Sequence, residues 1–251
     1  MLLSRRSFTA LFTSVLLGLP AFAAGPSGEK FAEPRKAGAL RALLIGGGSS
    51  HDFEKFFHQT DSATLRAKGF DPAYTEDVEE AVALLPQADL LIISTNQGPF
   101  GSAKFQDALN AFADGGKGVI VLHPGAWFNW PPATGYNTKF VGGGAKSHDR
   151  YGKFTVTVSD PAHPIMKDVP PTFEVSDELY HVTLDPAAQT KVLAETSTSL
   201  VTKKTHPSVW TIQHPKARVV AIALGHDAAV HDLPAFKTIL TNAAQWVAEK
   251  K

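Results

Sequence analysis

The sequence predicts an α/β protein built on a doubly wound, mainly parallel sheet with an antiparallel β extension. Three observations lead there. Short apolar runs without polar alternation recur at Arg41–Ile45, Asp89–Ser94 and Gly118–Leu122, the pattern of central strands buried on both faces. Amphipathic helical segments lie between them, as right-handed crossovers between parallel strands require. After His148 the pattern changes to period-two alternation, first at Lys153–Ser159, which reads as antiparallel strands.

The first residues are expected to lie outside this fold. Arg5-Arg6, an apolar stretch from Ala10 to Leu19 and the triplet Ala21-Phe22-Ala23 follow the order of a cleavable export signal over residues 1–23. The arginine pair followed by Phe8 resembles a twin-arginine signal, which carries folded proteins to the periplasm or beyond and leaves no stable membrane anchor after cleavage. Residues 24–39, rich in Gly, Pro and charge, read as an N-terminal arm with little fixed structure. Residues 40–251 then form one α/β domain, a size that buries a single substantial core. With no cysteine, the chain has no disulfide, thiol nucleophile or thiolate metal ligand. Its 24 basic residues balance 24 acidic ones without a basic patch, so no nucleic acid is expected as a partner.

Each element has a local reason. The first strand enters Gly46-Gly-Gly-Ser-Ser50, which lacks the Walker lysine and the dinucleotide spacing and so reads as a tight turn open to close ligand approach. A helix starts near Asp52, presents Phe53, Phe56, Phe57, Leu65 and Ala67, and closes at Gly69. Phe70–Tyr74 is a strand, and Asp77–Leu85 a helix stopped by Pro86. Ser102–Asp114 is an amphipathic helix that leaves through Gly115-Gly116. Gly118–Leu122 breaks at His123-Pro124-Gly125, and Trp127–Gly144 reads as loop. Strands follow at Glu178–Leu184 and Lys191–Thr196, then a hairpin of Ser208–Gln213 and Arg218–Gly225 across His214–Ala217. Leu233–Lys250 closes the chain as a helix with Phe236, Ile239, Leu240, Ala243, Trp246 and Val247 on one face.

In open α/β sheets the ligand crevice lies outside the carboxyl ends of the strands. His51, His123 and His226 each stand just past such an end. The loops add His148-Asp149 and the acidic pair Asp177-Glu178 beside Tyr180 and His181. Imidazole nitrogen with carboxylate oxygen is a usual ligand set for zinc and similar divalent metals, and the same groups suit acid–base work near neutral pH. His51, His123 and His226 are therefore candidate ligands of a divalent metal such as zinc. His123, Glu178 and Asp177 are candidate catalytic groups, and His51, His148, Trp127, Trp130 and Tyr180 candidate substrate contacts. The Trp127–Trp130 segment reads equally as a stacking platform for sugar rings or as a loop pinned to the core. Asp52 serves as an N-cap or a ligand. His58, His163, His206 and His214 read as surface or turn residues.

Several motifs occur in order along the chain: Gly115-Gly-Lys-Gly-Val-Ile-Val-Leu-His-Pro-Gly125, Phe140-Val-Gly-Gly143 with His148, Asp160-Pro-Ala-His-Pro-Ile165, Phe173 with Asp177-Glu-Leu-Tyr180, and Arg218-Val-Val-Ala-Ile-Ala-Leu-Gly-His226 with Trp246. In this order they resemble the trehalose-utilisation (ThuA-like) family, departing from it at Pro215-Lys-Ala217, where a glycine-containing turn is common. The resemblance implies a flavodoxin-like fold of the class I glutamine amidotransferase-like type. It places His123 near the position of the amidotransferase nucleophilic cysteine, which excludes glutamine hydrolysis through a thioester here. It also implies a role in handling disaccharides and their keto derivatives, some members resembling metal-dependent hydrolases. The expectation is an exported carbohydrate-active protein, a hydrolase or lyase acting on a disaccharide, glycoside or keto-sugar derivative. A noncatalytic carbohydrate-binding domain is the alternative. In both cases the partner is a small-molecule carbohydrate.

Overall fold

The computed structural model describes residues 28–249, so the export signal expected over residues 1–23 lies outside the described residues. Five strands form the parallel half of the main sheet in the order β2 (Asp71–Thr75), β1 (Arg41–Ile45), β3 (Leu90–Ile93), β4 (Gly118–Leu122) and β11 (Arg218–Ile222). Every neighbouring pair among them is parallel. The sheet continues through β10 (Pro207–Gln213), β9 (Thr190–Thr196), β6 (Gly152–Val158) and β7 (Thr172–Asp177), all antiparallel. A separate antiparallel pair joins β5 (Gly143–His148) to β8 (Tyr180–Leu184). This is the doubly wound sheet with antiparallel extension that the apolar runs predict.

Continuous hydrophobicity in the central strands has its reason in two cores. Leu43, Ile45, Leu91, Ile93, Val119 and Val121 face one core, covered by α2 (Val78–Leu84) and α3 (Ala103–Asp114) through Ala81, Leu84, Phe105, Leu109 and Phe112. Leu44, Leu90, Ile92, Ile120 and Leu122 face the other, covered by α1 (Asp61–Arg66) and α5 (Pro234–Ala248) through Leu65, Phe236, Ile239 and Leu240. Alternate side chains on a strand point to opposite faces, so both sets must be apolar.

Several expectations need correction. The helix after β1 begins as a π-helical turn, Glu54–Thr60, before it becomes α1. Trp127–Gly144 is not loop throughout: Gly143 and Gly144 open β5, and a Cβ on Gly143 would come within 2.1 Å of the Thr183 carbonyl on β8. The strand expected over Glu178–Leu184 is divided. Asp177 ends β7 and Tyr180 starts β8, leaving Glu178 in the break between them. The arm is not loose over its described part either. Glu29 bridges β2 by reciprocal bonds with Tyr74, and Phe31 is buried because it fills the core beside Leu43.

The sheet is curled. β7 is four places from β11, roughly 19 Å across a flat sheet. Yet the Asp177 carboxylate accepts a hydrogen bond from the Gly225 amide, just past β11, at 2.9 Å. Register shifts between β9 and β10, near Pro207 and Val209, supply local bending.

Candidate metal centre

Three ends of the parallel half deliver side chains to one point. His51 follows β1 through the glycine turn, His123 follows β4 directly, and His226 follows β11. Glu178 arrives from the β7–β8 break. One ligand atom from each of these four residues lies within 4.8 Å of the others. The Nε2 atoms of His51 and His123 are 3.1 Å apart. Glu178 Oε2 lies 3.4 Å from His226 Nδ1 and 3.8 Å from His123 Nε2.

His123 takes the left-handed region, with φ of 40°, a strain of about 1 kcal/mol that persists only where the surroundings impose it. The surroundings do so here. Its buried ring stacks on Tyr180 with centroids 4.5 Å apart, and its Nδ1–H donates to the Ala223 carbonyl at 2.6 Å. In the neutral ring Nε2 is therefore a bare lone pair. Burial, then the proximity of His51, holds the His123 pKa well below the ordinary value. Burial, then His226, lowers that of His51 to about 4. Both rings are neutral at pH 7, and their facing nitrogens either share a proton or direct both lone pairs at a cation. Ser50 permits the second arrangement, because its Oγ lies 2.8 Å from His51 Nδ1 and can accept from it. His226 Nδ1 is buried without a hydrogen-bond partner. Three imidazole nitrogens and one carboxylate oxygen fit zinc and related divalent ions.

The elbow at His123 does not suit acyl transfer of the amidotransferase kind. Such a turn draws an oxyanion donor from the amide following the elbow residue, and Pro124 has none.

The remaining sequence candidates separate on inspection. Asp177, expected to be catalytic, is wholly buried and turned away: it accepts from the amides of Glu178 at 2.7 Å, Gly225 at 2.9 Å and His226 at 3.2 Å. Burial pushes its carboxyl up to about 7 against the pull of those amides. His148 stands at the rim, its Nδ1–H on the Asp149 carbonyl at 2.7 Å and its Nε2 3.6 Å from Glu178 Oε1. Trp127 borders the site, edge-on to Tyr180 and His148. Trp130 does not border it. Its ring is buried against Tyr136 and its N–H donates to the Gln97 carbonyl, so it pins the loop and is no stacking surface. Asp52 caps, accepting from the Lys55 amide at 3.1 Å.

His206 and His214, read as surface or turn residues, do lie outside strands but are buried: His206 precedes β10 with its Nδ1 on the Val182 carbonyl, and His214 sits in the β10–β11 turn with its ring stacked on Phe140. Two relevant residues have little sequence signal. Tyr151 is exposed, with its ring 5.3 Å from His226. His231 is buried behind the site, where it contacts Asp61 and the Gly225 carbonyl.

Known structures share this architecture. A ThuA-like protein from Parabacteroides merdae superposes with a TM-score of 0.72 at 18% identity, covering 84% of this chain and 90% of that one. A glutamine amidotransferase from Thermotoga maritima gives 0.51 at 11% identity, over 84% and 98%. A carbohydrate deacetylase, Agd3, gives 0.55 at 14% identity, over 84% of this chain and 32% of that one. These likenesses establish a flavodoxin-like, class I glutamine amidotransferase-like fold. No curated protein matches. The model of the ThuA family, described as trehalose utilisation, matches residues 41–247, a span that includes all four clustered donors. The chain belongs to the ThuA family.

Proposed function

We propose that this chain is an exported carbohydrate-active hydrolase that holds a zinc-class divalent metal between His51, His123, His226 and Glu178. The observation that carries the reading is the convergence of these donors around a His226 Nδ1 that is buried, makes no hydrogen bond and faces Glu178 Oε2. The family description and the carbohydrate deacetylase among the structural neighbours support a sugar as substrate. Arg5-Arg6 and the apolar run behind them support export.

A metal so held supplies Lewis acidity and lowers the pKa of water at neutral pH. The chain's own groups do the rest. His51 and His123 stay neutral, as ligands must, with Ser50 and the Ala223 carbonyl setting their ring orientation. His148 presents Nε2 beside Glu178 at the solvent rim, placed to give or take a substrate proton. Trp127, beside His148, and Tyr151, beside His226, offer rings to the apolar face of a sugar.

The test is elemental analysis of protein purified without a polyhistidine tag, with turnover measured on acetylated sugars and disaccharides before and after a strong chelator. We expect about one metal per chain, its loss in His123→Ala and His226→Ala, and turnover that falls with the metal. Incorporation of labelled solvent oxygen into product separates hydrolysis from lyase cleavage. Sugar binding without turnover, indifferent to chelation, would favour the noncatalytic binding domain. Precursor carrying Arg5→Lys and Arg6→Lys is expected to remain in the cytoplasm, and normal secretion would remove the twin-arginine reading.

A further inference from the structure

We infer that Asp177 is a positioning residue that sets the spacing of Glu178 and His226, and thereby the affinity of the site for its metal. The inference rests on the metal reading above. Glu178 and His226 reach the cluster from strands four places apart in the sheet, and Asp177 is the group that joins them. Its Oδ1 takes the amide N–H of both, while Oδ2 takes that of Gly225. Its side chain is fully buried, so these bonds are made without competition from water.

The loop it grips has little freedom to adjust. The Ala223 carbonyl is held by His123, and the Gly225 carbonyl by His231. Gly225 has φ of 140°, and a Cβ there would lie 3.1 Å from the His123 Cβ, so the loop runs directly against a third ligand. A carboxylate accepts at both oxygens, as this place demands. An amide of the same shape turns a donor onto either the Gly225 amide or the pair from Glu178 and His226.

The experiment uses the full folded chain and zinc alone, with affinity read by competition against a chromophoric chelator and the fold of the metal-free protein by near-UV circular dichroism and melting. Folded Asp177→Asn should bind zinc about tenfold or more weakly than wild type, within the range typical of groups that orient ligands. Asp177→Glu keeps the charge but displaces both oxygens by a methylene, should also weaken binding, and decides the matter if the asparagine variant does not fold. Wild-type protein offers a further readout: zinc should slow hydrogen exchange at the Glu178, Gly225 and His226 amides together, because they share one acceptor. A merely structural Asp177 would lower the melting point of the metal-free protein yet leave zinc affinity and the joint protection unchanged, which overturns the inference while the metal reading stands. Wild-type protein that binds no zinc removes the metal reading and this inference with it.

Discussion

At the scale of single residues, the histidines of this molecule are tuned in opposite directions. His51 and His123 are held neutral, whereas His231 is held charged. Burial alone would depress the His231 pKa, but the Asp61 carboxylate, 2.7 Å from Nδ1, outweighs it and raises the value above 6.5. A base whose folded pKa is raised contributes stability that is fully present below its unfolded value near 6.5, and that is lost as pH rises through the folded value. The urea midpoint is therefore expected to decline from about pH 6 to pH 9, and the decline to flatten in His231→Gln. A midpoint that rises over that range would mean that the pair folds neutral. Asp61→Ala, which takes from the buried His231 ring the partner that favours its charged form, should cost about 3–5 kcal/mol.

The connecting elements owe their order less to apolar packing than to buried polar anchors. The loop after β9 exposes Leu200 and Val201 to 79% and 66%, so its tip buries little surface. It is held by Asp149, which accepts from Ser199 Oγ and the Leu200 amide, both at 2.7 Å, and from the Val201 amide at 3.3 Å, with His181 Nε2 also 2.7 Å away. Burial would raise the Asp149 pKa, but these hydrogen bonds hold it below the usual carboxylate range. Asp149→Ala strands several donors at once and should cost about 3 kcal/mol. Hydrogen exchange at Leu200–Thr202 should become fast while β1, β3 and β4 stay protected; equal loosening of those strands would show that the anchor serves the whole core.

On the scale of the whole molecule, the N-terminal segment is part of the domain. Phe31 sits beneath the Arg41 guanidinium, 5.1 Å from its ring centre, and Arg41 also binds the Ala32 carbonyl, Glu33 and Asp71. The segment thereby covers the β2 edge, where Glu29 pairs with Tyr74. Phe31→Ala is expected to cost about 3–4 kcal/mol, measured by denaturant unfolding, because it empties a buried core site beside Leu43 on β1. Zinc affinity should be unchanged, and an equal fall in affinity would mean that the two ends of the sheet are coupled.

The sequence by itself determined the parallel core and the histidine ends of its strands. Burial on both faces is written locally, as an unbroken apolar run at β1, β3 and β4, and a residue just past such a run lies at the crevice whatever the rest of the chain does. Only the tertiary structure decided which carboxylate joins the histidines. Asp177 and Glu178 are neighbours in sequence, and a shift of one residue along extended chain reverses the side chain's direction. Asp177 continues the inward phase of Phe173 and Val175 and so is buried against Gly225, where a polar residue in a core position hides the strand from any reading by hydrophobic pattern. Trp127 and Trp130 part in the same way, one beside His148 and the other against Tyr136. The reason is common to both: a local pattern records how deeply a side chain is buried, whereas the meeting of β7 with β11 depends on sheet curvature and hydrogen bonds between residues nearly fifty positions apart.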